Sequence, residues 1–380
     1  MPKGPLEGVR VVELCGWHTG PMATCIMADQ GAEVIKVEPP GGDGYRNTGA
    51  SRGGFGAMFM AANRNKRSIT LDVKQPTHMD ALLKLIARAD VFIQNNRPGA
   101  MARLGLTWER LSKDFPRLIY AAISGYGQTG PNAAEGAFDT MLQALSGLPV
   151  IQAGKEQRPQ LVKTLVVDKI ISPMVAQAIC SALYQREKTG RGCELDCAML
   201  DVMTWWMWPD AMMNHTFIGD DAHAVGGVSE VDLVSKTADG YLVATAHLPK
   251  EWEQFIDLVG KPELRDDPRL NSAAARGKNL GLYAKTIRES FGGKTTAEWC
   301  ELLRARGIPC APVLAPEEVA DYPQVKWNKL IEETTHPKAG KHRSVRGPIR
   351  FDGQANNVLR PVPGAGEHTD EILAEIGVKL

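Results

Sequence analysis

The stretch Gly8-Val9-Arg10-Val11-Val12-Glu13-Leu14-Cys15-Gly16-Trp17-His18-Thr19-Gly20-Pro21 decides the fold. Val9 to Leu14 is a short β-branched run, followed at once by small and polar residues. Such a run reads as a buried strand ending in a turn. Met22 to Gln30 then reads as a helix closed by Gly31, and Glu33 to Val37 as the next strand. The alternation goes on. Ile69 to Val73 reads as strand, and Met79, Leu82, Leu83, Leu85 and Ile86 mark a helix face. Val91-Phe92-Ile93 and Leu118-Ile119-Tyr120 are further short apolar strands. This order predicts an α/β fold, a doubly wound Rossmann-like parallel sheet with helices on both faces. The Gly-rich stretch from Pro39 to Gly56 is too long for an ordinary βα loop, which makes it a candidate functional segment.

Farther on, a long helix runs toward Lys188, striped by Ile171, Met174, Val175, Ala178, Ile179, Ala182 and Leu183. Ser172-Pro173 supplies N-cap and first-turn signals, so the helix is expected to start there. Thr189-Gly190-Arg191-Gly192 ends it, and Cys193 to Cys197 reads as strand. Between Met199 and Met213, Trp205, Trp206 and Trp208 crowd together with Met203, Met207 and Met212. Apolar nearly all round, this window predicts burial between elements or subunits, with an acyl-binding wall as the functional alternative. From Gly226 the pattern turns α+β: a strand at Leu242 to Ala246, helices around Trp252–Val259, Leu280–Phe291 and Trp299–Leu303, and a strand at Cys310 to Leu314. The tail is polar and rich in Pro and Gly until a final helix from Thr369 to Ile376. The expected organisation is a large Rossmann-like domain over 1–200, a linker helix over 201–224, a smaller α+β domain over 225–315, and a return to the large domain over 316–380.

The 380 residues exceed one typical domain of roughly 100–200. With 43% hydrophobic and 23% charged residues, disorder, collagen and coiled coil are excluded. Forty-four Lys and Arg balance 44 Asp and Glu, which argues against bulk attraction to nucleic acid or membrane. An anionic ligand must therefore be met by local clustering. No apolar run reaches the ~18 residues that cross a bilayer. The first eight residues lack a signal-peptide stretch, so a cytoplasmic protein is expected. Seven scattered cysteines read as free thiols. Cys193 and Cys197 have no second Cys or His pair close behind, so a strand is expected there and no metal site.

Several familiar signatures are missing. The turn after the first strand lacks G-x-G-x-x-G, and no phosphate loop, G-x-S-x-G or H-E-x-x-H occurs. Dinucleotide, ATP, serine-hydrolase and zinc-protease chemistry lose their anchors. What remains are polar groups at predicted strand ends, where open α/β sheets bind ligands. Asn63-Arg64-Asn65-Lys66-Arg67-Ser68 suits phosphate oxygens and adenine edges, or is a solvated basic turn. Asn95-Asn96-Arg97-Pro98-Gly99 follows a strand, with Arg103 one helical turn on. His18 ends the first strand region and reads as ligand contact or structural hydrogen-bonder. Asp168 lies just ahead of the expected helix start, where the dipole and free N–H groups favour an anion. Its two readings are a capping residue or a nucleophile able to form covalent acyl intermediates.

Taken together these motifs resemble the class III CoA-transferases, the CaiB/BaiF family with its formyl-CoA transferase-like members. The resemblance rests on Gly8 to Leu14 with Gly20-Pro21, Gly31 to Asp43, Asn63 to Asp72, Asn96-Arg97-Pro98-Gly99, Gly125-Tyr126-Gly127-Gln128-Thr129-Gly130-Pro131, and Lys188-Thr189-Gly190-Arg191-Gly192. It implies transfer of CoA from an acyl-CoA donor to a free carboxylic acid, with coenzyme A as substrate and no tightly bound cofactor or metal. It places the catalytic aspartate at Asp168, working through an aspartyl anhydride and an aspartyl-CoA thioester. CoA binding is implied for His18, Thr19, Leu71, Asp72, Lys74, Asn95, Asn96, Arg97 and Arg103. Substrate contacts are implied for Phe138, Asp139, Gly226 and Gly227. Formyl-CoA transferases carry Gln where His18 stands and Tyr where Phe138 stands, so acyl contacts differ here. The racemase branch needs a histidine at the position of Phe138, which carries no proton. A non-catalytic acyl-CoA-binding protein is the other alternative. The resemblance also implies an interlocked homodimer.

Overall fold

The computed structural model describes residues 4–154, 158–219, 227–355 and 360–380. Six strands make one parallel sheet: β1 (Arg10–Leu14), β2 (Glu33–Glu38), β3 (Lys66–Thr70), β4 (Val91–Gln94), β5 (Ile119–Ser124) and β6 (Glu194–Ala198). Their spatial order is β3-β2-β1-β4-β5-β6. All neighbours run parallel, with Val11 paired to Val34 on one side and Val91 on the other. The chain moves outward from β1 to β3, then returns to lay β4 against the far side of β1. That reversal opens a crevice at the carboxyl ends of β1 and β4. Every residue of β4 and β5 is buried, which is why these strands read as continuous apolar runs without alternation.

Helices along this part of the chain include α1 (Thr19–Asp29), α2 (Ala57–Asn63), α3 (Pro76–Ile86), α4 (Ala100–Leu104), α5 (Asp139–Leu145), α6 (Val166–Thr189) and α7 (Met199–Met207). One core gathers Val12 and Phe92 from the sheet, Leu82 and Ile86 from α3, and Ile372 near the end of the chain.

Contacts divide the chain into two compact units, Met1–Ser146 with Lys163–Thr204 and Pro323–Leu380, and Gly147–Val162 with Trp205–Tyr322. Residues 147–162 thus leave the large domain that the sequence reading assigned them to. In the second unit, β7 (Val234–Lys236), β8 (Tyr241–Ala244) and β9 (Cys310–Pro312) form an antiparallel sheet. Helices α8 (Pro249–Val259), α9 (Leu280–Arg288) and α10 (Thr296–Ala305) surround a core of Trp252, Phe255, Tyr283, Phe291 and Trp299. The sequence reading lacks β7, whose three residues are too few to show a period. In the first unit, residues read only as a polar, Pro- and Gly-rich tail form the hairpin β10 (Ile331–His336) and β11 (Gly340–Val345), followed by the expected final helix, α11 (Thr369–Glu375). Four consecutive exposed polar residues in β10 hide the strand from a hydrophobicity reading.

Three expectations are corrected. Helix α6 begins at Val166, so Ser172 and Pro173 lie inside it and Asp168 sits in its first turn. The cap comes from another segment: Asp139 Oδ2 accepts from the N–H groups of Val167 (2.8 Å) and Asp168 (3.2 Å). The same helix, 24 residues with a mean hydropathy of 1.4 in its most apolar window, has the length and composition to cross a bilayer. Here it packs on α1 and buries Val167, Ile171, Val175 and Ile179. Finally, Met203 and Met207 are buried but Trp205, Trp206 and Trp208 are exposed on the chain, so burial between this chain's own elements does not cover the whole Trp/Met window.

Candidate active site

The crevice holds a cleft of about 690 Å³, built within the first unit from the loops after β1, β2, β4 and β5 together with the start of α6. Its lining includes Trp17, His18 and Thr19 after β1, Gly42 to Tyr45 after β2, Asn95 to Pro98 after β4, Phe138 and Asp139, and Asp168. Part of the Gly-rich stretch thus becomes cleft wall.

Asp168 is held from several sides. The Thr19 hydroxyl donates to Asp168 Oδ1. The Ser172 hydroxyl lies 2.7 Å from the Asp168 carbonyl oxygen and 2.9 Å from that of Thr19, tying α6 to the start of α1. Burial raises the Asp168 carboxyl; the Thr19 hydrogen bond lowers it, and the Asp139 charge raises it again, to about 6 overall. Among the described residues it forms no ion pair with a Lys or Arg. A desolvated carboxylate with a hydroxyl donor and no cation keeps its electron pairs for an incoming carbon.

His18 is neutral. Burial lowers its imidazole, with help from Lys169, to about 4. Its Nδ1 lies 3.1 Å from the Tyr45 hydroxyl, while Nε2 has no hydrogen-bond partner among the described residues. Tyr45 is itself pushed up to about 12 by burial and by the nearby charges of Asp168 and Asp43, so it stays protonated.

Beneath this loop lies a buried ion network. Glu13 in β1 meets Lys36 (2.9 Å) and Lys66 (2.7 Å), all three with fully buried side chains. Burial alone would raise the Glu13 carboxyl; the two ammonium groups and the Thr24 hydroxyl hold it at about 2 instead. Lys36 also binds Asp43 Oδ2 and the Cys15 carbonyl, each at 2.9 Å, and Lys66 reaches the Pro21 carbonyl at 2.7 Å. The network therefore fixes both flanks of the segment carrying His18 and Thr19. Gly20 is needed there because a Cβ would lie 2.5 Å from Cys15 Sγ.

This overturns the reading of Asn63 to Ser68 as a phosphate site or a solvated turn. Arg64 pairs with Asp29, Lys66 with Glu13, and Arg67 with Glu33, Glu371 and Glu375. Each cation is buried and committed to carboxylates.

Of the residues singled out from the sequence, His18, Thr19, Asn95, Asn96, Arg97, Phe138, Asp139 and Asp168 meet at the cleft. Their roles divide. Asn95 closes a two-way clamp with Gly16, accepting from its N–H (3.0 Å) and donating to its carbonyl (2.8 Å). Asn96 donates to the Leu14 carbonyl at 3.1 Å. Both amides staple β4 to the β1 loop. Both oxygens of Asp139 are taken by Gln143 and the α6 backbone. Arg97 is exposed and, among the described residues, has no carboxylate partner. Leu71, Asp72, Lys74 and Arg103 do not line the cleft. Leu71 is core, and Asp72 organises a turn through Lys74 N–H and Gln75. Arg103 is exposed beside Gly99. Gly227 lies in the second unit and not in this lining; Gly226 falls outside the described residues. Sequence reasoning missed Trp17, Asp43 and Tyr45 as cleft residues. The unusual length of the Gly-rich segment was the available signal for the last two.

The sequence profile of CoA-transferase family III matches residues 6–369. The chain is 34% identical over 379 residues to succinyl-CoA:glutarate CoA-transferase of Mus musculus, covering 98% of this chain and 86% of that protein. It is 32% identical over 368 residues to acetyl-CoA:oxalate CoA-transferase of Acetobacter aceti, covering 95% and 92%. A crystal structure of a CaiB/BaiF family protein from Brucella suis superposes with a TM-score of 0.83 at 29% identity, over 98% of this chain and 99% of that one. With a family profile spanning almost its whole length and relatives that move CoA between carboxylic acids, the chain belongs to the class III CoA-transferases.

Proposed function

We propose that Asp168 is the nucleophile of an acyl-CoA:carboxylate CoA-transferase. Its carboxylate oxygen attacks the thioester carbonyl carbon, the C–S bond breaks, and an aspartyl–acyl anhydride and CoA thiolate form. The thiolate then attacks the aspartyl carbonyl, releasing the donor's acid and leaving an aspartyl-CoA thioester. An acceptor carboxylate displaces the thiolate through a second anhydride. Attack of the thiolate on the acceptor acyl carbon gives the new thioester and restores Asp168. Bonds broken and formed match in kind, so no external energy source is required.

The observation that carries this reading is an uncompensated, desolvated carboxylate in the first turn of α6, facing the cleft. Arg97, exposed on the rim, suits the phosphates of CoA. The family's racemase reading is disfavoured because Phe138 supplies no proton-carrying group. Glutarate and oxalate, named for the relatives, are the first acceptor acids to assay. A homodimer belongs to the same proposal: Tyr184, Trp205, Trp206 and Trp208 are large exposed apolar side chains that a second copy would cover, and light scattering reads this directly.

Hydroxylamine added with an acyl-CoA donor tests the mechanism. The peptide containing Asp168 should gain a hydroxamate under turnover, and Asp168→Ala should abolish transfer. An unmodified peptide during active turnover, or full transfer by Asp168→Ala, overturns it.

A further inference from the structure

Trp17 stands where a tryptophan is conformationally expensive. Its φ is +64°, in the left-handed region that bulky side chains avoid. The surroundings enforce that conformation. Asp43 Oδ1 accepts the Trp17 N–H at 3.2 Å, and Asp43 is in turn fixed by Lys36. Strain of this kind persists only where the structure over-determines it, and it concentrates at functional sites.

What the conformation achieves is the display of an indole. Trp17 is 54% exposed and Phe138 is 57% exposed, yet both line the cleft. Their rings meet edge to face at 6.2 Å, with Tyr45 tilted against the indole at 6.1 Å. Burial in a core therefore does not explain the indole. Two residues on, the Thr19 hydroxyl bonds Asp168, so this aromatic wall belongs to the same short segment as the nucleophile's own donor. Apolar surface held open beside a reacting carboxylate is suited to an apolar part of the substrate.

We infer that Trp17 is a specificity-determining residue, its indole forming with Phe138 the wall against which the hydrocarbon chain of an acyl-CoA donor lies. The inference rests on reading the cleft as the acyl site of Asp168. Longer linear acyl chains gain contact with the wall, and acetyl groups gain little.

Single-turnover CoA release from acetyl-CoA and from octanoyl-CoA, with hydroxylamine present to trap Asp168, tests this in wild type, Trp17→Gly, Trp17→Ala and Trp17→Phe. Glycine accommodates the positive φ and alanine does not, whereas both remove the indole. The octanoyl-to-acetyl ratio of kcat/KM should fall on the order of 10-fold in both the glycine and alanine variants, and by much less in the phenylalanine variant. An unchanged ratio in Trp17→Gly overturns the inference. So does a raised ratio, which would make the indole a plug, or a fall confined to Trp17→Ala, which would make it a strain effect. Absence of the Asp168 hydroxamate in wild type would instead overturn the nucleophile reading, whatever the ratio.

Discussion

Asp139 grips Asp168 by its backbone: Oδ2 of Asp139 accepts the Asp168 N–H at 3.2 Å, leaving the Asp168 side chain to Thr19 and the cleft. One buried carboxylate thus positions another, and its charge also makes the second harder to ionise. Geometry and reactivity are set by the same contact.

A pH profile should register this. If Asp168 is the proposed nucleophile, its reactive carboxylate is lost as pH falls through about 6, so kcat/KM should drop tenfold per unit on the acid side of that value. Asp139→Asn keeps an oxygen for the α6 N–H groups but removes the charge. Its acid limb should move to lower pH, measured by the same assay.

Stability should show the opposite sign. A carboxyl raised from 3.8 to about 6 penalises folding increasingly above pH 4 and fully above pH 6, and the penalty vanishes only near pH 3, where both states are protonated. Asp168→Asn should therefore be more stable than wild type at pH 8, by roughly 1 kcal/mol after discounting for partial exposure, with the difference gone near pH 3. Calorimetry at the two pH values checks it.

Removing Glu13 from the buried ion network leaves Lys66 without a carboxylate partner and Lys36 with Asp43 alone. Glu13→Gln should cost about 3–5 kcal/mol, since Lys36 and Lys66 remain buried. Replacing Glu13 and Lys66 together by apolar residues of similar volume, which leaves the Lys36–Asp43 pair intact, should cost less than that single change. Urea unfolding midpoints compare the two directly.

Gly125 allows a close approach. A Cβ there would lie 2.1 Å from the Ala137 Cβ, pushing away the loop that carries Phe138. Gly125→Ala should lower kcat/KM at least tenfold, and adding Ala137→Gly should recover much of the loss by removing the colliding atom. Steady-state kinetics on both variants decides it.

Legibility in the sequence followed the range of the forces involved. β1, β2 and β4 are read within a residue or two because their burial writes a local apolar pattern. The start of α6 is misread by six residues because its cap is Asp139, nearly thirty positions away, while Ser172 and Pro173 carry the local signals. Asp168 and His18 are visible as polar residues near element ends. Trp17 is not, because nothing in composition announces a left-handed backbone enforced by Asp43.

Chain periodicity alone settles the α/β class and the strand sequence, since alternation of apolar segments acts over a few neighbours and needs no partner. Tertiary structure alone decides that the cations of Asn63 to Ser68 support the fold and do not meet phosphate, that Asn95 and Asn96 are staples, and that Asp168 is a hard-to-ionise carboxyl in a cleft. Electrostatic energy depends on burial and on which charges converge, and both are properties of the packed chain.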